Sequence, residues 1–163
     1  MAGYDMTIEK MDNPDFLKYM SKETIEMIKS FPEGLADTHV LGMTVANKRR
    51  YPNFSKRPPL TITIRLESYW DENNNYRIIL ENVSKFKIDA DIDGNRAYDE
   101  NDNEFIPHNQ TIADIIDFYM DIEGNTLLLK LKSEGHDTFR FNVGKLTITK
   151  YKKTLITRLI NKL

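Results

Sequence analysis

The chain has 163 residues, no cysteine and a formal net charge of −2 from 23 basic and 25 acidic side chains. This length fits a single domain, residues 1–163, with a real core. The absence of cysteine excludes disulfides, thiolate metal sites and thiol nucleophiles, and the near-neutral balance excludes a global field for nucleic acid.

Residues 1–10 lack the basic region and apolar run of an export signal. No apolar stretch approaches the roughly 20 residues needed to cross a bilayer. The expectation is a cytoplasmic protein with no membrane partner. Asn13-Pro14 then opens a helix, with an Asn N-cap and proline at the first helical position. Phe16, Leu17, Met20, Thr24, Met27, Ile28 and Phe31 recur at helical spacing, which predicts one helix over 13–31 that ends at Phe31-Pro32-Glu33-Gly34. A strand is expected near Val40 to Ala46. The segment from Asn47 to Pro59 is basic and turn-rich, and reads as a solvated loop.

Leu60-Thr61-Ile62-Thr63-Ile64-Arg65-Leu66-Glu67 alternates cleanly and predicts a strand with its aliphatic residues on one face. Tyr69 and Trp70 follow at a turn, where an aromatic can anchor a partner, and Trp70 is the candidate for that role. Asp71 to Asn75 make the turn. Strands are expected over Tyr76 to Leu80 and Val83 to Asp93, with residues 94–110 as loop. Ile116, Phe118, Met120 and Ile122 alternate with polar residues as in a strand. Gly124-Asn125 is a two-residue hairpin signal. Leu127, Leu129 and Leu131, then Phe139, Phe141 and Val143, face the core from the next two strands. Leu146 to Tyr151 form the last strand, and Thr154 to Leu163 carry a helical stripe. The fold class is α+β: about eight mainly antiparallel strands over roughly 38–151, one face buried, between an N-terminal and a C-terminal helix.

Charge is placed unevenly. Residues 89–104 hold seven acids and one base, while residues 145–163 hold six bases and no acid. The acidic stretch contains Asp89-Ala90-Asp91-Ile92-Asp93-Gly94-Asn95-Arg96-Ala97-Tyr98-Asp99-Glu100, which satisfies the calcium-loop pattern D-x-[DN]-x-[DN]-G-x5-E. In a calcium loop Asp89, Asp91, Asp93 and Glu100 donate side-chain oxygens and Asn95 its backbone carbonyl. The context is not that of a helix–loop–helix. Phe86 to Ile92 alternate like a strand, and Asn101 to Pro107 carry turn formers. Two further readings stand beside calcium: a solvated acidic edge, and an acidic surface (Asp91, Asp93, Asp99, Glu100 and Asp102) that meets a basic partner.

The order of elements also carries a resemblance. Gly34-Leu35-Ala36-Asp37-Thr38-His39-Val40-Leu41 leads into a strand, followed by the alternating Leu60 to Leu66 strand and by Tyr76-Arg77-Ile78-Ile79-Leu80-Glu81-Asn82-Val83-Ser84-Lys85-Phe86-Lys87-Ile88. Asp117-Phe118-Tyr119 and a hairpin ending in Phe139-Arg140-Phe141 come later. Over roughly residues 34–150 the chain resembles small β-rich bacterial immunity proteins of polymorphic toxin systems and related domains of unknown function. The resemblance implies a non-enzymatic protein that neutralises a toxin by binding it.

No phosphate loop, nucleophile elbow or H-E-x-x-H sequence occurs. His39, His108 and His136 lie far apart, without a second ligand at helical or hairpin spacing, and His39 reads as a satisfied hydrogen-bonding residue. The expected function is therefore a non-enzymatic protein-binding domain using the acidic surface. A calcium-binding module is the alternative, and no other cofactor is expected.

Overall fold

A computed structural model describes residues 3–47, 60–89, 97–98, 104–105, 113–133 and 136–153. Among these, two α-helices, α1 (Gly3–Lys10) and α2 (Lys22–Ser30), precede eleven strands. The strands are β1 (Thr38–Asn47), β2 (Leu60–Ser68), β3 (Asn74–Glu81), β4 (Lys85–Ile88), β5 (Ala97–Tyr98), β6 (Glu104–Phe105), β7 (Ala113–Ile115), β8 (Asp117–Glu123), β9 (Thr126–Ser133), β10 (His136–Val143) and β11 (Lys145–Lys152). Sheet A runs β11-β3-β2-β1-β7 and sheet B runs β4-β10-β9-β8, while β5 and β6 pair with each other. Every pairing is antiparallel. The class is α+β, dominated by antiparallel sheet.

The expected single helix over 13–31 is two pieces. Asn13 caps a 3₁₀ turn, Pro14–Lys18, by accepting the Asp15 N–H. Ser21 is extended and caps α2 by accepting the Thr24 N–H at 3.2 Å. A serine hydroxyl placed this way replaces the intrahelical bond, so helical spacing across the break is coincidental. Phe31 ends α2 in extended geometry (ψ 146°), as the clash with the ring of Pro32 requires. Leu17 faces solvent, because the break turns it off the stripe shared by Phe16, Met20, Thr24 and Ile28. α1 lay outside the sequence expectation. The C-terminal helix expected over 154–163 lies outside the described residues.

The expected single sheet is likewise two. The core fills the space between them as cross-strand rungs. In sheet A these are Ile62–Leu80–Leu146, Ile64–Ile78–Ile148 and Leu66–Tyr76. In sheet B they are Phe118–Leu131–Phe139, Met120–Leu129–Phe141 and Ile122–Leu127–Val143. The chain passes between sheets at short corners. Ile116 alone separates β7 from β8, and Gly144 alone separates β10 from β11. Gly34 (φ +58°) admits the Phe118 ring: a Cβ built there would stand 2.3 Å from that ring, so only glycine fits both the backbone and the packing.

A sheet edge buried without partners would strand N–H and C=O groups, and the N-terminal segment covers two such edges. Along β8, the Thr7 hydroxyl donates to the Phe118 carbonyl (3.4 Å) and accepts from the Met120 N–H (3.3 Å). Along β11, the Tyr19 carbonyl accepts from Leu146 N–H (2.9 Å) and the Thr24 hydroxyl from Ile148 N–H (3.4 Å). Lys10 locks α1 in place: its Nζ reaches Asp121 Oδ2 at 2.7 Å and Tyr119 OH at 3.1 Å. The hydrogen bond with Asp121 raises the Lys10 pKa above its ordinary value, and the same bond lowers that of Asp121.

The edge role is testable. T7V leaves a buried donor and acceptor of β8 unmet and is expected to cost about 1–3 kcal/mol. T7S keeps the hydroxyl and should cost well under half of that. Urea unfolding checks both, and equal losses in the two variants would mean that the Thr7 methyl, not the hydroxyl, carries the effect.

Candidate functional site

Most of the sequence-predicted site residues, Asp91, Asp93, Asn95, Asp99, Glu100 and Asp102, lie outside the described residues. Asp89 is exposed and immediately follows β4, with an interaction of its own. Of the strand expected over Val83 to Asp93, Lys85–Ile88 is strand, and residues 90–93 lie outside the described residues. Its register places Phe86 opposite Phe141 and Ile88 opposite Phe139. Phe86 and Ile88 therefore extend two core rungs past the cover of sheet A, and remain 48% and 44% exposed. Among the described residues, no strand pairs with the outer side of β4.

Trp70 stands in the turn between β2 and β3. It is half-buried, 5.2 Å from the Phe31 ring and 6.2 Å from the Tyr76 ring. Asp71 organises the turn, accepting from the N–H groups of Asn73 and Asn74 (both 2.9 Å) and from the Tyr76 hydroxyl (2.8 Å). Burial pushes the Tyr76 pKa up, the bond to Asp71 adds to it, and the group reaches about 12. Burial alone would raise Asp71 too, but the donors from Tyr76, Asn73 and Asn74 outweigh it and hold the carboxyl below its ordinary value.

The outer face of sheet A, turned away from the core, is polar and partly buried. One register row runs Asp114–His39–Glu67 across β7, β1 and β2, and Asn75 on β3 lies opposite Tyr151 on β11. His39, Glu67 and Asn75 are all less than a tenth exposed. His39 Nδ1 hydrogen-bonds Asp114 Oδ1, its cross-strand partner 75 positions away, and lies 3.3 Å from the Tyr69 hydroxyl. The Tyr69 ring meets the imidazole edge-on at 4.2 Å between centroids. His39 is thus a satisfied residue, as its sequence reading has it. The next row along holds Gly42, Arg65, Arg77 and Thr149. Arg65 and Arg77 face one another, and the sequence reading passed over them because two arginines in separate strands meet only once the register is known.

Among the described residues, no group of three His, Asp or Glu side chains is arranged to hold a metal ion. No described helix is long and apolar enough to cross a membrane. Comparisons with protein-family models, curated proteins and solved structures return no match to this chain.

Tyr76 yields a pH-dependent prediction. A group whose folded pKa exceeds its unfolded value contributes stability below the unfolded value, near 10, and loses it as pH rises through about 12. Y76F should cost about 0.5–1.5 kcal/mol at neutral pH through the lost bond to Asp71. It should also flatten the fall of stability between pH 10 and 12, read from melting curves across that range.

Proposed function

We propose that this chain is a non-enzymatic protein-binding domain that engages a basic protein through β4 and the acidic segment following it. The observation that carries the reading is the state of β4. The N-terminal segment covers the β8 and β11 edges, whereas β4 presents half-exposed Phe86 and Ile88 on a strand with no outer neighbour among the described residues. That strand runs into residues 89–104 with their seven acids and one base. Apolar anchors beside a charged field of one sign are what a specific, electrostatically steered interface needs. The resemblance to immunity proteins of toxin systems gives the partner a class, a basic toxin such as a nuclease, neutralised by occlusion. Trp70 packs on Phe31 and Tyr76, which accounts for much of its surface.

The experiment is calorimetric titration of the chain with the protein encoded immediately upstream of it, then with D91N/D93N/D99N. The triple variant should bind at least tenfold more weakly, with a shallower dependence on salt. F86A/I88A should weaken binding without changing that dependence. Unchanged affinity in the triple variant would remove the acidic surface from the interface.

The calcium pattern supports a second reading of the same segment, since Asp89, its first position, stands exposed at the exit of β4. Excess calcium is then expected to raise the melting temperature by several degrees over chelator and over magnesium. D89N and E100Q should each abolish the rise. A melting temperature indifferent to calcium sinks this reading and leaves the partner-binding one standing.

A further inference from the structure

We propose that β4 pairs with β4 of a second copy of this chain, antiparallel about Ile88, and so joins two B sheets edge to edge in a symmetric dimer. Lys85–Ile88 is exposed throughout, and no strand among the described residues pairs with its outer side. Such a strand offers its backbone donors and acceptors as a template for another chain. A two-fold axis normal to the sheet makes the contact isologous, with the same strand on both sides running in opposite directions. That axis keeps the two core faces on one side of the joined sheet. It must pass through a residue, since a slip by one would set core-facing side chains against outward ones.

Charge selects the residue. An axis at Lys87 sets that lysine against its own copy, and an axis at Phe86 sets Lys85 against Lys87 twice. Like charges directly opposite one another destabilise a sheet. An axis at Ile88 instead sets Lys87 against Asp89 of the second copy, twice by symmetry. Both side chains are exposed, and Asp89 directly follows β4. Lys87 forms no ion pair among the described residues. Asp89 has an interaction within its own chain, and a carboxylate has acceptor sites for a second partner.

Two register rows of sheet B end at this edge, and the same axis extends both. On the outward face, Lys130, Arg140 and Lys87 lie directly opposite one another across β9, β10 and β4. Glu123 reaches the Arg140 guanidinium at 3.5 Å. Asp89 of the second copy supplies a carboxylate at the Lys87 end of this three-base row. On the core face, the row Phe118–Leu131–Phe139–Ile88 ends at half-exposed Ile88. Ile88 of the second copy carries that apolar run on into the copy's own row. The contact is small, and a dissociation constant on the order of 0.1–1 mM is expected of an interface well below standard size. It occupies the strand assigned above to a basic protein, so that partner would displace the copy, but the self-pairing does not rest on that reading.

The test is sedimentation equilibrium of the full chain alone, in chelator and low salt, over about 10 μM to 1 mM, a range that reaches the expected affinity. The mean mass should rise with concentration toward that of a dimer. K87D sets acid against acid at both charged pairs, and D89K sets base against base. Each should weaken self-association at least tenfold. Both positions are exposed, so the charge reversals leave the core intact. An equimolar mixture of K87D and D89K again places opposite charges at both pairs, and should associate as well as the unaltered chain. A chain that stays monomeric at every concentration overturns the proposal. So does association that survives both single reversals, or a mixture that associates no better than either variant alone. With no other protein present, none of these outcomes bears on the partner reading.

Discussion

Closing the edges of two stacked sheets is the constraint on which the rest of this molecule depends. Sheets that bury one face each against the other still leave four edges, and an edge shut off from water without partners strands its backbone groups. Here the chain spends its first thirty residues on two of them. A threonine hydroxyl on β8, and a carbonyl with a second threonine hydroxyl on β11, stand in for missing strands. The helical pieces are short because they need only place Thr7, Tyr19 and Thr24 at β-strand edges and lay Phe16, Met20 and Ile28 over the core. The break at Ser21 serves that arrangement, since one straight helix would not follow the edge.

Of the two edges that the N-terminal segment does not reach, β7 and β4, it is β4 that carries half-exposed apolar side chains. The core rungs of sheet B run outward through Phe139 and Phe141 to Ile88 and Phe86, where the cover from sheet A ends. Apolar side chains at such a rim are half-spent on the core and half-available to a partner. The acidic segment begins at that point, so the proposed interface joins an apolar rim to a one-signed charge field.

The outer face of sheet A follows a different logic. Its rows are polar, yet His39, Glu67 and Asn75 are buried. Polar groups in such surroundings are expensive unless they find partners. His39 does so through Asp114 and Tyr69, while the Asn75 oxygen does not. Beside it stand two arginines that lean apart rather than pair.

Strand alternation was legible in the sequence because a half-buried strand repeats every two residues whatever it pairs with. Leu60 to Glu67, Leu127 to Leu131 and Phe139 to Val143 could be read directly, as could the Asn13 cap and the Gly124-Asn125 turn. The helical spacing of Phe16 to Phe31 misled, because a periodic count cannot see a serine that caps a new helix partway along. Phe86 and Ile88 carried the same alternation as core residues and proved half-exposed, since alternation assigns a face but not what covers it. Two sheets rather than one, the meeting of His39 with Asp114, and the juxtaposition of Arg65 with Arg77 were decided by the tertiary structure alone. Each depends on register between strands distant in sequence, and register is set by the packing of whole rungs rather than by any residue's local preference.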